Sequence, residues 1–412
     1  MSAEDSGSLT VDTDERELVP LLMPAEGVPA VVVDERQLLE CAKAIGAGAG
    51  PVAVDAERAS GHRYGQRAYL VQLRRAGAGS WLIDPVACPD LSPVAEAIGD
   101  AEWVLHAATQ DLPCLAEIGL RPVRLFDTEL GARLAGLPRV GLGASVEHYL
   151  GRSLAKEHSA VDWSQRPLPE PWLRYAALDV EVLVELRDEI AADLEAQGKL
   201  GWAQEEFAAL VGYAGPAPRV DPWRRVSGMH RVRRRRNVAM LRELWYARDR
   251  IAQRRDVSPG RVVPDSVLIE LANDPPKDGA AMGVRRELRA AARNPRPWLE
   301  AIERALALPD EQLPPLAIPG SGPPPPRSWA ERDPVAAARL ADVRTELLDF
   351  STQHVVPVEN LVSPDLLRRV LWTPPADLST DGFAAELRSG SAREWQIGIV
   401  APILAAAAAA HP

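Results

Sequence analysis

The 412-residue chain has few cysteines, few lysines and no long apolar run. Its three cysteines, Cys41, Cys88 and Cys114, lie far apart without a Cys-x-x-Cys pair, which argues against a structural zinc site. An odd, low count suits a reducing cytoplasm rather than a secreted disulfide framework. The longest apolar run, residues 399–410, is too short for a membrane span. The polar, acidic start also differs from a secretory signal, so we predict a soluble, cytoplasmic protein without membrane association.

Basic residues are outnumbered, with 47 lysines and arginines against 58 acidic residues and a net charge of −11. A global acidic charge gives no indication of nucleic-acid binding, so any basic surface must be local. Residues 223–255 provide one, with twelve arginines and only two acidic residues. Because arginine forks suit phosphate, we predict contacts with a nucleic-acid backbone here. The alternatives are a solvated helix surface or packing against an acidic domain. The predicted contact residues are Arg231, Arg233, Arg234, Arg235 and Arg236.

Composition and periodicity divide the chain into five parts. Residues 1–28 have the composition of a flexible acidic tail, and residues 29–213 show an α/β pattern. Two helical modules follow at 219–306 and 333–412, separated by a Pro-rich linker at 307–332 that we expect to be extended. The predicted fold class is therefore α/β for residues 29–213, followed by all-α modules.

The two helical modules show signs of a degenerate repeat. Val262, Pro264, Asp265 and Leu271 recur as the same residue types 100 positions later. In each copy a long helix runs into a polar loop and then into a Pro-Asp helix start. The pattern predicts a duplicated helical module.

Within the α/β part, three strands in sequence precede strands that alternate with helices. Short apolar runs begin at residue 51 and cover 68–73 and 81–83, which is typical of a meander. Later runs at 102–106 and 123–126 are flanked by helical patterns, so a mixed central sheet is expected. We predict one long amphipathic helix over 172–195.

The first strand of the meander ends in Asp55-Ala56-Glu57. Residues two apart in a strand share a face, so these two carboxylates would lie side by side. Adjacent carboxylates repel unless a cation lies between them. Hard divalent ions prefer oxygen ligands, so the pair is a candidate metal site, although such a pair also arises by chance in a chain of this length.

Two further acidic positions follow at comparable places. Asp111 comes after the predicted strand 102–106, where a helix-start aspartate near the helix dipole is the alternative interpretation. Tyr175 and Asp179 lie four residues apart on one helix face. A solvated acid beside a half-buried tyrosine is the alternative there, but that face also carries the apolar stripe, where an unpaired acid is costly.

Four carboxylates together can hold two divalent ions for an in-line displacement at phosphorus. In that arrangement Asp55, Glu57, Asp111 and Asp179 would be the ligands, and the Tyr175 hydroxyl could orient or deprotonate the attacking water. We refer to these four acids as the site carboxylates.

The segments that carry these residues resemble ribonuclease D, a family of the DEDD superfamily of 3′→5′ exonucleases with a tyrosine in the third motif. The first motif is matched by VAVDAERASGHRYGQRAYLVQL, the second by WVLHAATQDLPCLAEIGLRPVRLFDTELGARLAG and the third by PEPWLRYAALDVEVLVELRDEI. A family-typical stretch before the third motif is matched by KEHSAVDWSQRPL. The resemblance covers residues 30–200 and fills all five family positions.

The resemblance implies a ribonuclease H-like fold followed by helical HRDC domains, with the second module the more divergent. It implies two divalent ions, Mg²⁺ or Mn²⁺, held by the site carboxylates, with Tyr175 as the water-activating residue. The implied substrates are tRNA precursors or other small structured RNAs with a single-stranded 3′ end, trimmed to nucleoside 5′-monophosphates. No protein partner can be predicted. Residues near the motifs that could contact the terminal nucleotides are Tyr64, Gln72, His106, Gln110, Trp163 and Arg166.

Two rival functions remain at this stage. A DNA-directed exonuclease would share the same motifs, because only contacts to the 2′-OH distinguish RNA. A non-catalytic RNA-binding protein, with function in the helical modules, is the second rival, and the complete five-residue set argues against it.

Overall fold

The computed structural model of the protein describes residues 17–155, 160–318 and 322–412. Its centre is a six-stranded sheet in the order β2-β5-β4-β3-β6-β7. Neighbours β3, β4 and β5 pair antiparallel, whereas the pairs β2–β5, β3–β6 and β6–β7 are parallel. The predicted meander and mixed sheet are therefore confirmed. The strands are β1 (Val19–Leu21), β2 (Val31–Val32), β3 (Ala49–Arg58), β4 (Ala68–Ala76), β5 (Gly79–Ile83), β6 (Glu102–Leu105), β7 (Arg124–Asp127) and β8 (Arg152–Leu154).

Helices cover both faces of this sheet. The apolar run Val52 to Val54 in β3 is fully buried, as expected for a central strand enclosed on two sides. The helices of this domain are α1 (Glu35–Ala47), α2 (Ser92–Ala97), α3 (Leu112–Glu117), α4 (Thr128–Leu134), α5 (Leu142–Leu150), α6 (Glu170–Glu181), α7 (Leu183–Ala196) and α8 (Leu200–Leu210).

The prediction of a single helix over 172–195 is wrong, because Val182 separates two helices, α6 and α7. Both helices pack on β3, but α6 otherwise packs on β4 and β5, whereas α7 packs on α4, α5 and β6. The break lets each half follow a different part of the twisted sheet. Apolar spacing cannot show it, because both halves keep a helical pattern.

The prediction of an acidic tail over residues 1–28 is wrong for the part that the structure describes. Residues 1–16 lie outside the described part of the chain, but β1 pairs in parallel with β8 through Val19–Arg152, Pro20–Ser153 and Leu21–Leu154. The segment from residue 17 onward is thus part of the fold. Its short apolar run Val19 to Met23 was too small to stand out beside the acidic residues before it.

The first helical module has a hydrophobic core of its own, built around residues such as Trp223, Leu244 and Trp298. The second module shares one continuous core with the α/β domain. At this interface the Trp395 ring stacks on Trp202 with centroids 4.8 Å apart, and Lys199 donates to the Val355 carbonyl. The modules contain α9 (Arg235–Arg255), α10 (Pro259–Val262), α11 (Asp265–Asn273), α12 (Gly279–Gly283), α13 (Arg289–Ala292), α14 (Arg296–Ala307), α15 (Trp329–Arg332), α16 (Pro334–His354), α17 (Val358–Leu361), α18 (Pro364–Trp372), α19 (Thr380–Ser389) and α20 (Glu394–Ala410).

The internal repeat exists, but its register is 99 residues and not 100. Helices α9, α10 and α11 recur as α16, α17 and α18, each displaced by 99 positions. In each copy the long helix ends at a residue with a left-handed backbone conformation, and these residues, Asp256 and Val355, are also 99 positions apart. Burial follows the same register, since Val263 and Val362 are both buried. The shared Pro-Asp pair suggests a register of 100 residues, but the two prolines are not structurally equivalent. Pro264 precedes its helix, whereas Pro364 is the first residue of its helix.

The Pro-rich linker is not uniformly extended. Leu313 packs into the core of the first module, and Trp329 at the linker's end is fully buried in the other core. The Trp329 indole N–H donates to the Pro324 carbonyl at 2.8 Å. In the described part of the chain, no helix combines the length and apolarity that crossing a membrane requires.

Candidate active site

Strand β3 and helix α6 bring three of the predicted acids together. Asp55 and Glu57 lie two apart near the end of β3, and Asp179 lies on α6, which packs across that strand. One carboxylate oxygen from each of the three lies within 4.8 Å of the others. Small side-chain movements would close this spacing to that of the oxygen shell around a hard divalent ion.

Burial and mutual repulsion make this cluster costly without a cation. Burial raises the pKa of all four site carboxylates, and repulsion by Asp55 raises it further for Glu57, Asp111 and Asp179. Such strain is typical of functional sites rather than of structural ion pairs. A bound divalent ion would relieve it by favouring the ionised carboxylates.

Asp111 reaches the site from a tight turn between β6 and α3. In this turn Ala107 adopts a left-handed conformation, with φ 59° and ψ 52°, which is unfavourable for a residue with a Cβ. The buried Asp127 carboxylate holds the turn by accepting the Ala107 and Ala108 N–H groups at 3.0 and 2.9 Å. It also accepts the N–H groups of Glu129 and Leu130 at the start of α4.

Arg58 is a cation beside the acids. Its guanidinium lies 3.8 Å from Asp111 Oδ1. Its charge acts against burial at Asp55, Glu57 and Asp111, lowering the pKa that burial raises. The arginine therefore supplies part of the positive charge that the acids need.

Tyr175 lies one helical turn before Asp179 and donates a hydrogen bond to its carboxylate. Burial raises the pKa of the Tyr175 hydroxyl, and the nearby carboxylates raise it further. The phenol is therefore protonated, and it donates its O–H to Asp179 beside the other acids.

These side chains line one cavity of about 230 Å³. The cavity joins the end of β3, the 106–111 turn and the adjacent faces of α5, α6 and α7. It is lined by Asp55, Ala56, Glu57, Arg58, His106, Gln110, Asp111, Leu142, Tyr175, Asp179 and Leu183.

Two of the six predicted substrate contacts, His106 and Gln110, line this cavity. Burial lowers the pKa of His106 to about 4, so the ring is neutral near pH 7. Its Nδ1 lies 2.9 Å from Thr128 Oγ1, and that hydroxyl donates to the Leu105 carbonyl. Thr128 must then accept the Nδ1 proton, which leaves Nε2 as an acceptor.

Three other predicted contacts do not line the cavity. Gln72 is fully buried in β4, paired with Asp55 in the sheet. Trp163 is fully buried, and its ring packs against Trp172 and Tyr175, so it supports the tyrosine from behind and has no face open for a base. Arg166 donates to both Asp84 oxygens and to the Tyr69 carbonyl, so its fork is occupied within the fold.

Tyr64 belongs to an interdomain contact. Its hydroxyl donates to Asp249 on α9 at 3.0 Å, and its N–H donates to Asp256. Ser258 N–H donates to the His62 carbonyl in the same loop. The loop after β3 is thereby attached to the first helical module.

The predicted basic contact residues divide into two groups. Arg235 donates to the carbonyls of Asp310 and Leu313, and Arg236 donates to those of Ala305 and Leu308, so these two hold the end of the module. The other three, Arg231, Arg233 and Arg234, are exposed.

Comparison with known proteins identifies the family. Three family models match the chain: "3'-5' exonuclease" over residues 30–195, "HRDC domain" over 237–284 and "3' to 5' exonuclease C-terminal domain" over 322–408. A ribonuclease D from Granulibacter bethesdensis is 33% identical over 338 residues, covering 79% of this chain and 82% of that protein. The chain belongs to the ribonuclease D family. The HRDC match lies in the first helical module, as predicted, and the third match lies in the second module.

Solved structures agree with ribonuclease D membership. A protein from Bifidobacterium adolescentis superposes with a TM-score of 0.87 and 39% identity, covering 95% of this chain and 99% of that chain. Escherichia coli RNase D, described as an exoribonuclease involved in structured RNA processing, superposes with a TM-score of 0.66 and 26% identity over 93% of this chain and 99% of that one. The chain is thus a 3′→5′ exoribonuclease that acts on RNA and uses divalent metal.

Two residues that shape the candidate site were not predicted from the sequence. Arg58 follows the Asp-x-Glu pair directly, and its charge next to two carboxylates was a usable signal. Asp127 ends strand β7 before Thr128-Glu129, a pattern typical of a helix N-cap. That signal identifies a cap, but its link to the 106–111 turn depends on tertiary structure.

Proposed function

We propose that this exoribonuclease hydrolyses RNA 3′ ends with two divalent ions, Mg²⁺ or Mn²⁺, held by the four site carboxylates. The observation that carries the proposal is the convergence of Asp55, Glu57 and Asp179 oxygens within 4.8 Å in a cavity that Asp111 and Tyr175 also line. When bound, such ions lower the pKa of an attacking water and stabilise the leaving 3′ oxygen. The products are nucleoside 5′-monophosphates.

Tyr175 orients the attacking water rather than deprotonating it. Its pKa is raised by burial and by the neighbouring carboxylates, so the group is a proton donor and a poor base. Its O–H is directed at Asp179, and it is supported from behind by the buried Trp163 ring. A water that donates a hydrogen bond to the Tyr175 oxygen would be held beside the metal ligands.

His106 and Gln110 contact the terminal nucleotide in this proposal. His106 presents Nε2 as an acceptor, which fits a ribose hydroxyl as donor. Gln110 is exposed at the rim of the cavity.

The natural substrates are tRNA precursors or other small structured RNAs with a single-stranded 3′ end. The E. coli relative's role in structured RNA processing supports this class. Arg231, Arg233 and Arg234 are exposed on the first module and would attract the backbone of a structured RNA. A cytoplasmic location stays a prediction.

The test is a time course on 5′-labelled and 3′-labelled single-stranded RNA, beside matched DNA, with Mg²⁺ or Mn²⁺. Wild-type protein should shorten RNA stepwise from the 3′ end and release 5′-monophosphates. Asp55→Asn should abolish the reaction, and Tyr175→Phe should lower kcat by about 100-fold, because the attacking water would be misplaced. Metal binding should persist in Tyr175→Phe and weaken in Asp55→Asn.

Intact RNA under both ions would refute the enzymatic proposal. Faster degradation of DNA than RNA would instead move the substrate to DNA. A Tyr175→Phe enzyme with wild-type kcat would remove the tyrosine from the mechanism while leaving the two-ion proposal in place.

A further inference from the structure

Among the described residues that line the catalytic cavity, Arg58 is the only cation. The other titratable groups there are the four site carboxylates, the neutral His106 and the protonated Tyr175. The side chain of Arg58 is 25% exposed, so it is neither locked in the core nor free in solvent. One guanidinium therefore faces four acids across a small, partly closed space.

Arg58 is the last residue of β3, where the strand passes into a loop. Successive residues of a regular strand point to opposite faces, yet Ala56, Glu57 and Arg58 all line the cavity, so strand alternation does not decide which residues reach it. The pairing with β4 is also irregular here, because Glu57 is opposite Leu70 and Arg58 is opposite Ala68, which skips Tyr69 of β4. Arg58 therefore reaches the acids from the end of the strand.

Asp111 stands apart from the other three acids and lies beside Arg58. Asp55, Glu57 and Asp179 form the group that can hold an ion, and Asp111 does not belong to it. Asp111 Oδ1 instead lies 3.8 Å from the Arg58 guanidinium, a distance that permits attraction without a good hydrogen bond. The pair is loose and can be exchanged for better partners.

The charges specify what the better partner of Arg58 would be. Two divalent ions would balance the four ionised site carboxylates. The charge of Arg58 would then give the cavity one surplus positive charge. A phosphodiester carries one negative charge, and a guanidinium fork matches the geometry of its two free oxygens.

We propose that Arg58 binds the scissile phosphate of the RNA and, before the ions bind, serves as the counter-ion of Asp111. This inference rests on the proposed two-ion function. In this proposal Arg58 is a substrate-binding residue. Its guanidinium would change partner from the Asp111 carboxylate to the phosphate when the ions and RNA bind. Ion binding and Arg58 then compete for Asp111, so removing Arg58 should strengthen ion binding while weakening RNA binding.

The experiment compares Arg58→Gln and Arg58→Lys with wild type in two separate measurements. The first titrates Mn²⁺ into RNA-free protein and follows free ion by electron paramagnetic resonance. The second measures kcat and KM for a single-stranded oligoribonucleotide at saturating Mn²⁺. Arg121→Gln is the matched control, because this exposed arginine donates to the Ala116 carbonyl near the C-terminal end of α3 and does not line the cavity.

Arg58→Gln should bind Mn²⁺ about three- to tenfold more tightly, since it removes a competing cation near the acids. Its KM for RNA should rise about 10- to 100-fold, the loss expected for a charge-assisted bond to phosphate. The effect should fall mainly on KM, because the arginine holds the phosphate in ground and transition states alike. Arg58→Lys should retain weak Mn²⁺ binding and recover part of the KM, and Arg121→Gln should match wild type.

Two results would overturn the inference. Weaker Mn²⁺ binding in Arg58→Gln would show that the arginine only supports the acids structurally, and an unchanged KM would show that it does not touch the phosphate. Circular dichroism melting verifies folding, and Arg58→Lys provides the same two readouts if the glutamine variant is unfolded. If wild type shows no metal-dependent cleavage of RNA, the proposed function itself fails, whereas the Mn²⁺ titration still reports on the Arg58–Asp111 pair.

Discussion

The Asp127 carboxylate is predicted to position Asp111 without touching substrate or ions. It is 3% exposed and accepts four backbone N–H groups, three on Oδ1 and one, from Ala108, on Oδ2. Asp127→Asn keeps the shape but turns an N–H₂ group toward the Ala108 N–H. We predict a loss of both stability and kcat in this variant, with KM little changed.

The magnitude follows from the bonds that are lost. A buried, unpaired Ala108 N–H costs about 1–3 kcal/mol, and the three remaining bonds weaken because their acceptor is no longer charged. Part of this loss is offset, because burial raises the pKa of Asp127 and already disfavours its charged form. We expect a loss of about 2–3 kcal/mol in the free energy of unfolding. A displacement of Asp111 near 1 Å would lower kcat by about 100-fold.

The strained residue in the turn offers a rescue. Ala107 adopts its left-handed conformation at a cost of about 1 kcal/mol, which glycine would largely avoid. Ala107→Gly should therefore restore part of kcat in the Asp127→Asn background and change it little in wild type, where Asp127 already holds the turn. Urea denaturation and steady-state exonuclease kinetics on the four proteins complete the double-mutant cycle.

A matched control comes from another capping aspartate. Asp278 caps α12 through the Ala281 N–H at 2.8 Å and has no connection with the 106–111 turn. Asp278→Asn should cost no more than about 1 kcal/mol and leave kcat unchanged. The reasoning would be refuted if Asp127→Asn kept wild-type kcat, or if Ala107→Gly changed kcat equally in both backgrounds.

Two further predictions concern ions and RNA. The raised pKa values of the site carboxylates contribute stability that is fully present below their unfolded pKa of about 4 and is lost as pH rises through the folded values. In EDTA, the Tm of the wild type should therefore fall with rising pH more steeply than the Tm of Asp179→Asn. Added Mg²⁺ should raise the wild-type Tm more at pH 8 than at pH 5. A gain in Tm that does not depend on pH would contradict this. The triple variant Arg231→Gln, Arg233→Gln, Arg234→Gln should bind single-stranded RNA more weakly and flatten the slope of log K against log salt by about 2. Arg296→Gln, which removes an exposed arginine paired with Glu300, should leave that slope unchanged in the same binding assay.

The sequence predicts which candidate residues lie together within one motif, because their spacing is local. Asp55 and Glu57 share a strand face, and Tyr175 and Asp179 share a helix face, so each pair is fixed by the geometry of one element. The mixed sheet was predictable for the same reason, since the apolar periodicity of strands and helices is visible within short stretches of sequence. Family resemblance then linked the segments, which no local rule could do.

What escaped prediction depends on contacts between distant segments. The proposed role of Arg58 depends on Asp111 lying beside it from another part of the sheet, and the capping by Asp127 requires β7 to lie beside the 106–111 turn. Trp163 and Arg166 lie close to the third motif in sequence, yet one is buried and the other is paired with Asp84. Proximity in sequence to a motif is thus a poor guide to contact with substrate.

The position of the first helical module relative to the cavity gives the basic surface a defined relation to the active site. The loop that follows Arg58 is bound on one side by α9 and α10, through Tyr64–Asp249 and Arg261–His62, and on the other by Ser164, which accepts from Arg63. The strand that carries Asp55 and Glu57 therefore ends in a loop that the helical module helps to hold. A module that bound RNA but moved freely would raise only the local concentration of substrate. We predict that one docked on this loop also influences the direction from which the RNA strand approaches, because its exposed arginines would then keep a fixed place relative to the carboxylates.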